Sequence, residues 1–134
     1  MPSVSSRIAH AGLRARITDA TGAAELIAPG TAVGMSGFTG AGYPKAVPQA
    51  LARRIEAAHA ASSPFTVRVW TGASTGPELD GALARAKGIE FRAPYNSDPV
   101  VREQINSGAL DYCDLHLSEV APMAREGFFG KLDT

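Results

Sequence analysis

The sequence predicts an α/β fold, an open and mainly parallel sheet with helices on both faces, and three observations carry that expectation. Short β-branched or aromatic runs alternate with helix-patterned segments at close spacing, as strands joined by right-handed crossover helices do. Helix boundaries are marked by the residues that physically make them, such as Asp98-Pro99 at a start and Gly108 at a stop. A dense glycine segment, Gly34 to Pro44, stands where a strand hands over to a helix.

In chain order, Ile8 to Arg16 is short and helix-compatible, and Thr18 is expected to cap a helix through Ile27 that Pro29 and Gly30 end. Thr31 to Ser36 reads as a buried strand. From Lys45 or Val47 to Ala60, the apolar positions Val47, Leu51, Ile55 and Ala58 share one helical face, with Arg53, Arg54 and Glu56 turned elsewhere. Phe65 to Thr71, bounded by Pro64 and Gly72, is a second strand. The loop Gly72 to Pro77 enters a helix ending near Lys87, with Gly88 at its C-terminal side. Ile89 to Arg92 is a third strand, Asp98 to Asn106 a capped helix, Leu110 to Cys113 a fourth strand, and Ser118 to Glu126 a last helix. Gly127 to Thr134 carries Phe128, Phe129 and Leu132 and stops where another strand would begin, so the chain is expected to be cut within a domain.

Composition narrows the function classes. Lys plus Arg and Asp plus Glu both count 13 in the 134 residues, with no run of like charge, which argues against nucleic acid or an anionic membrane as partner. One cysteine, Cys113, reads as a small buried apolar residue and rules out an internal disulfide. The N-terminal segment lacks the apolar stretch of a secretory signal, and no 18-residue apolar run occurs, so a cytoplasmic protein is expected. The acid-free, Arg- and Ser-containing start leaves a mitochondrial presequence as the alternative.

Ligands of open α/β sheets bind outside the carboxyl ends of the strands, which directs attention to the loops Gly37 to Pro44, Gly72 to Pro77, Pro94 to Pro99 and Asp114 to Ser118. Gly37, Gly40 and Gly42 permit positive φ and let a ligand or another backbone come close. The segment fits neither common phosphate template: a dinucleotide fingerprint from Gly40 needs glycine where Lys45 stands, and a Walker loop from Gly37 needs lysine where Tyr43 stands. Thr71 and Gly72, at the end of the second strand, also lack the acidic ribose partner of a dinucleotide enzyme. His10 and His59 read as surface or packing residues, Trp70 and Phe65 as core. His116 lies at the ligand edge without metal-ligand spacing around it, so no metal site is expected.

The segment Gly37-Phe38-Thr39-Gly40-Ala41-Gly42-Tyr43-Pro44 resembles the N-terminal signature of coenzyme A transferases. Pro44 to Pro48, Thr71 to Pro77, Pro94 to Asp98 and Ile105 to Gly108 resemble, in the same order, segments of the acetyl-CoA hydrolase/transferase branch, which includes succinyl-CoA:acetate CoA-transferases. The resemblance runs from about Arg7 to Leu132 and implies that residues 1–134 are the N-terminal portion of a CoA-transferase-type α/β domain.

It further implies a ping-pong transfer of coenzyme A between small acyl-CoAs (acetyl-, succinyl-, propionyl-CoA) and small carboxylic acids. A glutamate attacks the thioester, passes through an anhydride and becomes a glutamyl-CoA thioester; water reaching that intermediate gives hydrolysis. In the family the nucleophilic glutamate and most coenzyme A contacts lie in later sequence, so no catalytic residue is expected in this chain and the chain alone is expected to be inactive. Glu119 has no supporting motif and reads as a solvated carboxylate in a first helical turn. The resemblance assigns Asn96 and Ser97 to the border of the acyl or carboxylate pocket, and Phe38 and Tyr43 are candidates to line it. It implies a coenzyme A thioester as substrate with no permanently bound cofactor, the remainder of the polypeptide as partner, and a homodimer. The alternative from another class is a non-catalytic module whose glycine loop binds an anion or acyl group.

Overall fold

A computed structural model describes residues 7–128. Residues 1–6 and 129–134, with Phe129 and Leu132 among them, lie outside the described residues. The chain opens with a short helix α1 (Ala11–Arg14) and then α2 (Ala20–Glu25). Asp19, one residue past the expected Thr18, caps α2: its carboxylate accepts from Gly22 N at 2.8 Å, the amide that an N-cap side chain can reach.

Strand β1 (Ala32–Gly34) leads through the glycine loop into α3 (Ala46–Ala60). Leu51 and Ile55 are fully buried there as their spacing predicts, with Val47 and Ala58 half-buried. Arg54 is not simply turned to solvent. Its Nη1 donates to Ala24 O (2.7 Å), in the last turn of α2, and to Ile27 O (2.5 Å) just beyond it, fastening α2 to α3 with a charged donor.

β2 (Val67–Trp70) is followed by a π-type turn over Pro77–Gly81, in which Gly81 N bonds to Gly76 O, and this runs on into α4 (Ala82–Arg85). The left-handed residue ending α4 is Lys87 (φ 53°) rather than Gly88. Gly88 serves close packing instead: a Cβ there would lie 2.6 Å from Ile55 Cδ1. β3 (Ile89–Ala93), α5 (Pro99–Asn106), β4 (Asp111–Tyr112) and α6 (Leu117–Arg125) complete the described elements. Asp98 caps α5 as its sequence predicts, accepting from Val100 N and Val101 N with Pro99 in the first turn.

The four strands are all parallel and lie in the order β1-β2-β3-β4. Right-handed crossovers that always step in the same direction put their helices on one face. Accordingly α2 packs on α3, α3 on α4 and α4 on α5, over a core of Leu51, Ile55, Val67, Val69, Leu79, Leu83, Ile89 and Val101.

The α/β class and the open parallel sheet stand as expected, with these helices in a single row. On the other face Arg68 is exposed, Trp70 and Phe91 are half-buried with ring centroids 5.1 Å apart, and Arg68 lies over the Phe91 ring at 5.3 Å. Trp70 is therefore not in the helix-covered core, while Phe65 is (3% exposed). β1 differs too, because it is an edge strand: Ala32 and Gly34 are exposed and Val33 half-buried.

Candidate functional site

The loops after β1, β2, β3 and β4 converge outside the carboxyl ends of the strands and enclose an open cleft of about 620 Å³. Phe38 comes from the glycine loop; Trp70, Thr71, Gly72 and Ala73 from the end of β2; Ala93, Pro94 and Tyr95 from the end of β3. Cys113, Asp114, Leu115 and His116 close it from β4, with Leu117 and Val120 of α6. The lining is mostly apolar, and its carboxylate, Asp114, already accepts from Tyr95 N at 3.2 Å. His116 caps α6, its Nδ1 accepting from Ser118 N. Among the described residues no glutamate lines the cleft, and Glu119 is exposed on α6. Cys113 is half-buried in the cleft wall, a wetter setting than the buried apolar one expected for it.

The glycine loop gives its freedom to another backbone. Gly37, Gly40 and Gly42 have φ of 130°, 79° and 68°. Thr39 N donates to Ala73 O (2.8 Å), Gly40 N to Ser74 O (3.0 Å), and Phe38 and Ala41 exchange N–H···O bonds at 2.9 Å. Four consecutive amides, 38 to 41, thus have protein acceptors, and an anion cradle built from them has no free donors. The two loops touch so closely that a Cβ on Gly72 would lie 1.9 Å from Gly37 O.

Tyr43 turns under this junction. Its hydroxyl donates to Glu78 Oε2 at 2.5 Å, and Lys45 Nζ sits 3.5 Å from Glu78 Oε1 and 5.2 Å from the Tyr43 ring centre. The bond to Glu78 raises the Tyr43 pKa above its ordinary value, and the same bond lowers that of Glu78. A Cβ on Gly76 would lie 2.2 Å from Tyr43 Oη, so Tyr43, Gly37 and Gly76 form one close-packed unit.

The candidates read from sequence therefore divide. Phe38, 58% exposed, lines the cleft, whereas Tyr43 braces the loops behind it. Ser97 is exposed, with its amide donating to Ser74 Oγ at 2.9 Å. Asn96 is 3% exposed; its Oδ1 accepts from Asp98 N at 2.7 Å, and its Nδ2 is buried without a partner among the described residues.

Sequence reasoning missed a buried cluster beneath the cleft. Arg92 (0% exposed) donates from Nε to Asp80 Oδ1 at 2.8 Å and from Nη2 to Asp80 Oδ2 at 3.1 Å. Its remaining donors go to main-chain oxygens of Ala93 (2.5 Å), Pro94 (3.3 Å) and Gly72 (3.1 Å). Thr75 donates to Asp80 Oδ2 from both N (2.8 Å) and Oγ1 (2.5 Å). Burial pushes the Asp80 pKa up, but the bonds and charge of Arg92, with the bonds from Thr75, outweigh it and hold the group below its ordinary value. A lone arginine in a strand carries no local pattern that marks it as buried. The signal available was Asp80, an acidic residue whose neighbours Leu79, Leu83 and Ala84 are apolar.

Compared with known families, residues 1–134 match the model of the acetyl-CoA hydrolase/transferase N-terminal domain over their whole length. The chain belongs to the acetyl-CoA hydrolase/transferase family. A propanoyl-CoA:succinate CoA transferase of Escherichia coli is 48% identical over 111 residues, 83% of this chain and 23% of that protein. A succinyl-CoA:acetate CoA-transferase of Clostridium kluyveri is 39% identical over 127 residues (95% and 23%). An acetyl-CoA hydrolase of Schizosaccharomyces pombe is 38% identical over 120 residues (88% and 23%). The chain thus spans under a quarter of the length of these relatives. Among the described residues of this family member no group of His, Cys, Asp and Glu is arranged to hold a metal ion, and no helix is long and apolar enough to cross a membrane.

Proposed function

We propose that this chain forms the acyl-side wall of an acyl-CoA:carboxylate CoA-transferase or acetyl-CoA hydrolase. The enzyme takes small acyl-CoAs (acetyl-, succinyl-, propionyl-CoA) and small carboxylic acids through a glutamyl-CoA intermediate. The observation that carries the reading is the apolar cleft at the carboxyl ends of the strands, in a chain whose relatives are named as CoA transferases and acetyl-CoA hydrolases. An apolar wall suits a short acyl group and excludes water from an anhydride or thioester.

The nucleophilic glutamate, in this reading, comes from polypeptide outside these 134 residues, as the family resemblance implies, and the reading is supported by the lack of a glutamate among the described residues that line the cleft. The isolated chain is then inactive. Asn96, whose buried amide donor has no acceptor among the described residues, and Ser97, through its hydroxyl, are the donors this reading assigns to a carboxylate oxygen at the border of the cleft. Phe38 packs against the acyl group, and the Gly37–Gly42 loop with Tyr43 shapes the wall. The proposal places the whole protein in the cytoplasm as a homodimer.

The test is to incubate the full-length protein with acetyl-CoA or succinyl-CoA without an acceptor acid, digest it, and locate any coenzyme A thioester by mass spectrometry. The expected adduct is on a glutamate outside residues 1–134. An adduct on Glu119, Glu78 or any other residue of this chain would overturn the assignment.

A further inference from the structure

We infer that Arg92, clamped by Asp80 and Thr75, is a positioning residue that sets the geometry of the cleft wall. The inference rests on the functional reading above but concerns a group that touches no substrate in it. The three main-chain oxygens that receive its donors, those of Gly72, Ala93 and Pro94, belong to residues lining the cleft, and they come from two different strand ends. A planar guanidinium delivers such bonds in fixed directions, so the loops after β2 and β3 share one rigid template.

Asp80 orients the template by taking two parallel bonds from Nε and Nη2, and Thr75 holds the carboxylate with two more, both to Oδ2. Asp80 itself is carried on the π-type turn, so the helix-layer side of the sheet is linked to the loop ends through the ion pair. Beyond the clamp, Ser74 N donates to Tyr95 O at 3.1 Å and Thr71 N to Ala93 O at 3.1 Å, which tie the same two loops together above it. The cluster is almost wholly buried (Arg92 0%, Asp80 1%, Thr75 7% exposed). Removing a whole buried ion pair in favour of apolar side chains is often neutral for stability. Its presence directly under the cleft therefore points to a role in geometry.

The experiment uses the full-length protein and two variants: Arg92→Lys, which retains the charge on Asp80 but loses the fork, and the pair Asp80→Leu with Arg92→Met, which removes both charges. Thermal unfolding establishes that each is folded, and CoA transfer from succinyl-CoA to acetate is then measured. A displacement of about 1 Å at a reacting group costs on the order of a hundredfold in rate. The expected result is a folded variant whose kcat falls by roughly that factor while KM for succinyl-CoA stays within about threefold, since most coenzyme A contacts lie elsewhere in this reading. Folded variants with wild-type kcat would overturn the inference. So would loss of fold in both variants, which would make the cluster a stability element alone. If the wild-type protein neither transfers coenzyme A nor hydrolyses the thioester, it is the functional reading that fails.

Discussion

Replacing Gly72 by alanine probes how tightly the loops around the cleft are joined. The added Cβ would lie 1.9 Å from Gly37 O, 3.0 Å from Gly37 C and 3.2 Å from Phe38 Cα, and all three are main-chain atoms that no rotamer change can move away. Bringing the first contact to about 3 Å requires the two loops, which meet main chain to main chain here, to part by roughly 1 Å. That movement breaks or stretches the bonds Thr39 N to Ala73 O (2.8 Å) and Gly40 N to Ser74 O (3.0 Å). Each is worth about 0.5–1.5 kcal/mol net, and forced overpacking adds about 1–3 kcal/mol, so Gly72→Ala is expected to destabilise by about 2–6 kcal/mol. Urea unfolding of the purified protein, followed by circular dichroism, should show a lower midpoint with an unchanged slope. A midpoint shift worth less than about 0.5 kcal/mol would refute the close apposition of these loops.

Four further outcomes follow from the same physical picture. Asp80→Asn leaves the Arg92 charge buried with a weaker partner and should cost about 3–5 kcal/mol, read from denaturant unfolding at neutral pH. Because the folded-state pKa of Asp80 lies below its ordinary 3.8, its contribution is present above that value and is lost as pH falls through the folded-state value; the variant should accordingly show a flatter acid limb in stability against pH. Glu78→Gln should bring the ionisation of Tyr43 down towards its ordinary 10.0, seen as an earlier step in an ultraviolet tyrosine titration, whereas an unshifted step would place the Tyr43 hydroxyl away from Glu78. Asn96→Asp keeps the acceptor for Asp98 N but replaces the donor that has no partner among the described residues with a negative charge, and should raise KM for the acceptor acid about tenfold or more with less effect on KM for the acyl-CoA.

Much of the frame was legible because its causes are local. Asp98-Pro99 sets a cap and a first turn within two residues, and the Leu51/Ile55 spacing defines the buried face of α3 from the helical period alone. The site was legible at the level of loops, since strand ends locate it in any open α/β sheet, but not at the level of individual side chains. Nothing near Tyr43 in sequence announces a partner 35 positions away at Glu78, and Arg92 and Asp80 meet only because the chain turns back through α4. Gly37, Gly40 and Gly42 were equally consistent with a ligand and with a second backbone, because glycine answers only to space and φ. The loop from Gly72 to Ser74 fills that space. The exposure of β1 and the half-burial of Trp70 were likewise beyond local patterning, because strand order decides which face and which edge lie open.

The most direct test of the central claim is transfer itself. The full-length protein, mixed with succinyl-CoA and isotopically labelled acetate, should produce labelled acetyl-CoA, or free coenzyme A if hydrolysis dominates, while the 134-residue chain alone should produce neither. Failure of the full-length protein to move coenzyme A to acetate or water, tested across acetyl-, propionyl- and succinyl-CoA, would contradict the account. Turnover by the isolated chain would contradict its placement of the nucleophile.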